Sequence, residues 1–314
     1  MVDAGGTDGE AGPDGGVRGA SRSVVYARSS LGNLPALSAT VNLHEITHLI
    51  IAFANPTDTA PLALASSDAD VAVLVSAAHA AGAKVLVSIG GATHGPQVLP
   101  QLAPDKVQAF VQTIVAFADA RDFDGVDIDI EGVAFPAAGY EALAQGLSAA
   151  LQPRGKLLTA AVAPSLDSRI TPAAMALMDF VSVMPFDVCT GSSPTPCQHS
   201  TYEHSVEMLD HYVEGRKLPA DRVVLGVPFY GYCWGTGCGT SLLTYAEILA
   251  RFPDAGDGDV VDRPDAKAYY NGPTTIERKA KLGRQYGGVM VWHLAADAPP
   301  PHSLLDVVAS ALAP

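Results

Sequence analysis

The sequence predicts an α/β fold, a single (β/α)8 TIM barrel with a short excursion between its seventh and eighth strands. Three observations carry this. Eight short aliphatic, β-branched runs recur at 24–27, 46–54, 84–89, 125–130, 157–163, 180–184, 223–227 and 289–292. The intervals between them hold Ala-rich amphipathic stretches, such as 69–81, 105–120 and 140–151, long enough for crossover helices. Polar and aromatic side chains (Ser88, Glu131, Asp187, Tyr230, and Trp292 with His293) stand at the ends of five of these runs, and barrel sites are built at the C-terminal ends of the strands. An open doubly wound sheet is the competitor, but no phosphate-binding glycine fingerprint accompanies the runs, and eight of them favour closure.

Residues 1–20 are rich in Asp, Gly and Ala and poor in side chains worth burying, so they read as a flexible linker without a visible export signal. Residues 21–314 are then the barrel domain. Its first run carries Tyr26. The second is preceded by His44-Glu45-Ile46-Thr47-His48, which matches the zinc-protease pattern HExxH. That chemistry needs a helix to put both histidines on one face, and the residues that follow read as a strand, where positions four apart are separated by about 13 Å. The third run ends in Ser88-Ile89-Gly90-Gly91.

The fourth run, Asp124-Gly125-Val126-Asp127-Ile128-Asp129-Ile130-Glu131, is the most informative. In a strand, residues two apart share a face, so Asp127, Asp129 and Glu131 line one side while Val126, Ile128 and Ile130 bury the other. Crowded acids repel unless some keep a proton or are hydrogen-bonded. A proton donor beside coupled carboxylates is what glycosidic bond cleavage needs. Carboxylates also suit Mg²⁺ or Ca²⁺; with the other strand-end motifs beside them, the reading here includes no metal and no cofactor.

The sixth run continues into Met184-Pro185-Phe186-Asp187 and the seventh into Pro228-Phe229-Tyr230-Gly231. The connection 231–288 holds a helical piece near 245–252, an acidic Gly/Asp turn at 254–259 and a helix near 274–286, too little for a second domain. Four cysteines allow three pairings. The local ones, 189 with 197 and 233 with 238, each staple a Gly/Pro/Ser-rich loop. Neither spacing resembles a common zinc site, so disulfides and an exported protein are expected. The net charge of −14 argues against a nucleic-acid partner. No polybasic patch or 18-residue apolar run suggests membrane insertion. Nothing demands an oligomer, so a monomer is expected.

These motifs resemble the family 18 glycoside hydrolases, chitinases and related endo-β-N-acetylglucosaminidases. The fourth-strand DGxDxDxE is matched in full by 124–131 and the third-strand SxGG by 88–91. The seventh and eighth strands match as Gly226-Val227-Pro228-Phe229-Tyr230-Gly231 and Gly287-Gly288-Val289-Met290-Val291-Trp292, with Asp297 following. The resemblance covers about residues 23–311 and implies retaining hydrolysis of β-1,4 bonds beside N-acetylglucosamine. It makes Glu131 the general acid. The nucleophile is the substrate's N-acetyl oxygen. Asp129 orients the acetamido nitrogen and Asp127 shares a proton with it. Trp292 forms the sugar floor, with Tyr26, Met184, Phe186, Asp187, Tyr230 and Trp234 as further substrate contacts, although Trp234 reads equally well as a packed loop residue. An endo-β-N-acetylglucosaminidase acting on N-glycans or peptidoglycan, and a glycan-binding lectin, are the alternatives.

One departure stands out. The family's sixth strand carries Met-x-Tyr-Asp, whose hydroxyl bonds the N-acetyl carbonyl; here Phe186 occupies that position. Tyr230 is the candidate substitute. Only Trp234 and Trp292 are tryptophans, which suggests a shallow, open groove for accessible or soluble glycans rather than crystalline chitin.

Overall fold

The computed structural model describes residues 21–313 except 94, 133 and 257; the linker expected at 1–20 lies outside the described residues. Eight parallel strands close a barrel. In chain order the first six are β1 (Arg22–Arg28), β2 (His48–Ala52), β3 (Lys84–Gly91), β4 (Gly125–Ile130), β5 (Leu157–Val162) and β6 (Phe180–Val183). The seventh, β7 (Val223–Pro228), pairs with β6 and with the last strand, Gly288–Trp292, which closes the ring against β1. Nearly every barrel-strand residue is buried, as expected when helices cover a parallel sheet from outside and side chains fill it from inside.

Strand alternation sorts the core into two shells. Val24, Tyr26, Ile50, Ala52, Leu86, Leu157, Phe180, Val224 and Met290 fill the interior. Residues of the opposite register, among them Val25, Ile51, Val87, Val126, Ile128 and Ile130, face the helices. The expected helices form at Asp68–Ala80, Val107–Ala120 and Ala137–Leu151. The first starts where Ser67 accepts the N–H of Asp70, satisfying a donor that the helix leaves open.

The excursion before the last strand is more ordered than its sequence suggests. One residue after β7, β8 (Tyr230–Trp234) begins a four-stranded antiparallel sheet. Its other members are β9 (Leu242–Thr244), β10 (Val260–Arg263) and β11 (Ala266–Tyr269), with the helix Tyr245–Arg251 between β9 and β10. These strands are three to five residues long and mixed in character, which leaves little periodic signal. Phe229 joins sheet to barrel: its N–H donates to Trp292 O at 2.8 Å and its carbonyl accepts from Tyr245 N at 2.9 Å. The last barrel strand, Gly288–Trp292, is β12.

His44 and Glu45 lie in the 3-10 turn Leu43–Glu45, while His48 opens β2, so the HExxH residues share no helix. His48 is buried with its ring 5.2 Å from Phe180. Both disulfides take the local pairing, Cys189–Cys197 and Cys233–Cys238.

Candidate active site

The inner face of β4 places its acids in succession along the barrel axis. Asp127 is fully buried and accepts three hydroxyl hydrogen bonds. Tyr26 Oη and Ser88 Oγ donate to Oδ2 at 2.8 and 2.7 Å, and Thr159 Oγ1 donates to Oδ1 at 2.7 Å. Neighbours on β1, β3 and β5 therefore converge on one carboxylate. Burial pushes the Asp127 carboxyl up, and the hydroxyls of Thr159, Ser88 and Tyr26 pull it part of the way back.

Asp129 is also buried and is hydrogen-bonded to Glu131, which reaches into the more open level above. Two carboxyl groups bond to each other only with a proton between them. Burial, then the charges of Glu131 and Asp127, hold Asp129 well above the ordinary carboxyl range. Burial also raises Glu131; the bond from Asp129 lowers it and the charge of Asp187 raises it again. Burial thus holds both Asp129 and Glu131 above the ordinary carboxyl range. Asp127 is saturated by hydroxyls.

The first glycine after Ser88 is explained by the same strand. Gly90 has φ +111°, and a Cβ there would lie 2.4 Å from Asp129 O. β3 can close on β4 at this level only without a side chain. Asn55 fixes the approach by donating Nδ2 to Gly90 O at 2.9 Å and accepting Gly90 N at 3.0 Å.

Apolar side chains roof the barrel interior beside the acids. Phe53, Met184, Phe186 and Trp292 are partly buried and pack on the inner core. Trp292 meets Tyr26 edge-on at 5.3 Å and lies 5.8 Å from Phe53 with the rings tilted by 31°. Sequence reasoning missed Phe53; Trp292 and Phe53 together offer a partly exposed aromatic surface.

Asp187 is exposed at the end of the sixth strand. Its Oδ1 accepts Tyr230 Oη at 2.7 Å and Tyr232 Oη at 3.0 Å, with His199 Nδ1 at 3.4 Å. Burial of the carboxyl would raise it, but the His199 and Tyr230 contacts outweigh this and hold it below its ordinary value. Tyr230 has one hydroxyl proton and gives it to Asp187, so it is not a free donor replacing the hydroxyl missing at Phe186, whose ring lies 6.3 Å away. Tyr26 and Tyr232 are likewise committed, to Asp127 and Asp187. Trp234, two positions beyond Tyr232, donates Nε1 to Ser193 O at 3.2 Å and sits farther along the sheet. Asp297 is not in the site: it accepts the N–H groups of Ala298, Leu304 and Leu305 and the Ser303 hydroxyl, anchoring the helix Leu304–Leu312.

Known proteins agree with this architecture. The model of the glycosyl hydrolases family 18 matches residues 22–297. A chitinase structure from the chitin utilization locus of Flavobacterium johnsoniae is 30% identical with a TM-score of 0.83, covering 93% of this chain and 94% of that one. A chitinase from Bacteroides thetaiotaomicron is 25% identical, also with a TM-score of 0.83, over 93% and 96% of the two chains. An endochitinase from Brugia malayi is 22% identical over 294 residues, 74% of this chain. The chain spans only part of the curated relatives it matches, 58% of that endochitinase. Matched across almost the whole barrel, the chain belongs to the family 18 glycoside hydrolases and is a chitinase-like member.

Proposed function

We propose that the protein is a retaining glycosidase cleaving β-1,4 bonds beside N-acetylglucosamine, in chitin or chitooligosaccharides, by substrate-assisted catalysis. The observation that carries this reading is the Asp129–Glu131 pair at the inward-facing end of β4, where burial holds both carboxyls above their ordinary range. It keeps a proton available at an acid whose neighbour is buried and whose own side chain reaches the opening.

Glu131 gives that proton to the glycosidic oxygen as the C1–O bond breaks. The acetamido oxygen of the same sugar attacks C1 and forms a cyclic oxazolinium, so no second carboxylate nucleophile is required. Asp129 accepts the acetamido N–H and balances the developing positive charge. Water then adds to C1 while Glu131 takes its proton back, and two inversions give net retention. Trp292 and Phe53 support the apolar face of the reacting sugar. The two disulfides suit an oxidising compartment, so the enzyme acts outside the cytosol.

The test is digestion of N-acetylglucosamine tetramer to hexamer, beside a high-mannose glycopeptide and peptidoglycan, with product anomers followed by NMR. The β-anomer should form first from the oligomers. An α-anomer sinks the retaining mechanism, and cleavage of only the other two glycans moves the activity to them. Binding without cleavage favours the lectin reading, for which Phe186 is the supporting observation.

Phe186 also sets the rate. An oxyanion-type donor is worth about 2.7–4 kcal/mol in a transition state, and the three nearby tyrosine hydroxyls point at carboxylates. Phe186→Tyr is expected to raise kcat on the tetramer by about 10-fold or more, less than the full value because the site is not otherwise arranged around the new hydroxyl. An unchanged or lower kcat, with unchanged Tm, would show that the acetamido group is held by other means.

A further inference from the structure

His199 lies in the loop between β6 and the helix Tyr202–Asp210, twelve positions from Asp187, and is fully buried. Its Nε2 is 3.2 Å from Tyr230 O. A carbonyl only accepts, so Nε2 carries a hydrogen. Nδ1 faces Asp187 Oδ1 at 3.4 Å. With one proton on the ring, Nδ1 would turn a lone pair toward a carboxylate; with two, the ring faces it as an ion pair, the contact falling outside hydrogen-bond geometry. Hydroxyls of Tyr230 and Tyr232 meet the same oxygen, and both rings pack on the imidazole at 5.1 and 5.2 Å.

The loop is built to hold this contact. Cys189–Cys197 closes it, and Val188 N donates to His199 O at 3.4 Å. Ser200 Oγ donates to Pro185 O at 2.8 Å, and Lys279 Nζ donates to Ser200 O and Oγ at 2.9 and 2.7 Å. The loop is thereby closed on itself and its end tied to Lys279 on the helix Pro273–Gly283.

We propose that His199 is the positioning residue of Asp187: in its doubly protonated form it clamps Oδ1, so that Oδ2 of the exposed carboxylate is presented to the N-acetylated sugar and the Asp187 charge is held at a fixed distance from Glu131. This rests on the hydrolase reading above and deepens it. The titratable and charged groups around the ring are Asp187 on its own loop, Tyr230 and Tyr232 on β8, and Lys279 on the helix Pro273–Gly283 one residue away through Ser200. Glu131 on β4 feels the same carboxylate from the other side. Of these only Asp187 offers an acceptor to Nδ1.

The test combines kinetics with a readout that needs no substrate. His199→Gln should lower kcat/KM on the tetramer by about 10-fold at pH 5–6, since small misplacements of a binding group cost rate steeply. The loss should depend on pH, because the contact to Asp187 needs the second ring proton. Tm at pH 5–6 should fall by far less than activity. An equal loss at every pH, or a loss that tracks Tm, would make His199 a packing residue and overturn the proposal. Independently, ¹⁵N-histidine spectra of the full chain should show the Nδ1 proton of His199 lost at lower pH in Asp187→Asn than in wild type. Identical titrations in the two proteins would also overturn it, even if the His199 variant failed to fold. If wild type cleaves none of the glycans, the hydrolase reading fails while these spectra still decide the His199–Asp187 contact.

Discussion

Glu131→Gln should lower kcat on N-acetylglucosamine oligomers by about 10²–10⁴-fold, the range for losing a positioned acid–base group. In the proposed mechanism the loss falls on both steps, because the same side chain gives its proton to the leaving sugar and later takes one from water. Affinity for the oligomers should stay within a few-fold of wild type, since the amide keeps the shape of the carboxyl group and the apolar floor is untouched. Glutamine also removes one of two repelling acids, so Tm should hold or rise. Parallel turnover and calorimetric binding measurements check this; a variant that still turns over near the wild-type rate would remove Glu131 from the chemistry.

Asp129→Asn should be the second most damaging change, lowering kcat by about 100-fold through loss of the acetamido acceptor and of the charge opposite the developing cation. Its pH signature separates it from simple misfolding. Two hydrogen-bonded carboxyls give up their protons in two steps, and the second leaves only at raised pH because it creates adjacent negative charges. Burial and the Glu131 charge hold the Asp129 carboxyl up in wild type, so the pair keeps its last proton well above the ordinary carboxyl range. With a neutral amide at position 129 that repulsion is gone. The alkaline limb of kcat/KM should then move to lower pH. An unmoved limb would mean that the pair does not control the acid.

The barrel was legible because its strands obey a two-residue period over a continuous apolar background. Val126, Ile128 and Ile130 point at helices and the alternate acids point inward, as alternation demands. The local disulfides were readable from spacing. What stayed hidden depends on contacts between distant segments. Three hydroxyls from β1, β3 and β5 meet at Asp127, and no one of them stands out locally. The antiparallel sheet was missed because short mixed strands carry little periodicity. Tyr232 had a faint signal, two positions from Tyr230 and therefore on its face of a strand. His199 had none beyond a neighbouring cysteine. Asp297, the residue that follows the eighth-strand motif, ties down a helix with its carboxylate.

The carboxylates at the mouth belong to a chain of net charge −14, and the potential they create extends about one Debye length, roughly 10 Å at 0.1 M salt. A fully acetylated glycan is uncharged and arrives by plain diffusion. A partly deacetylated chain carries ammonium groups and is drawn toward the cleft, at a rate that falls as salt screens the attraction. On the proposed substrate-assisted mechanism such a chain would be caught more readily than it is cut, because the sugar at the reacting position must bring its own acetamido oxygen. Ionic strength thus becomes a selector between free and partly stripped polymer, exerted before any bond is broken.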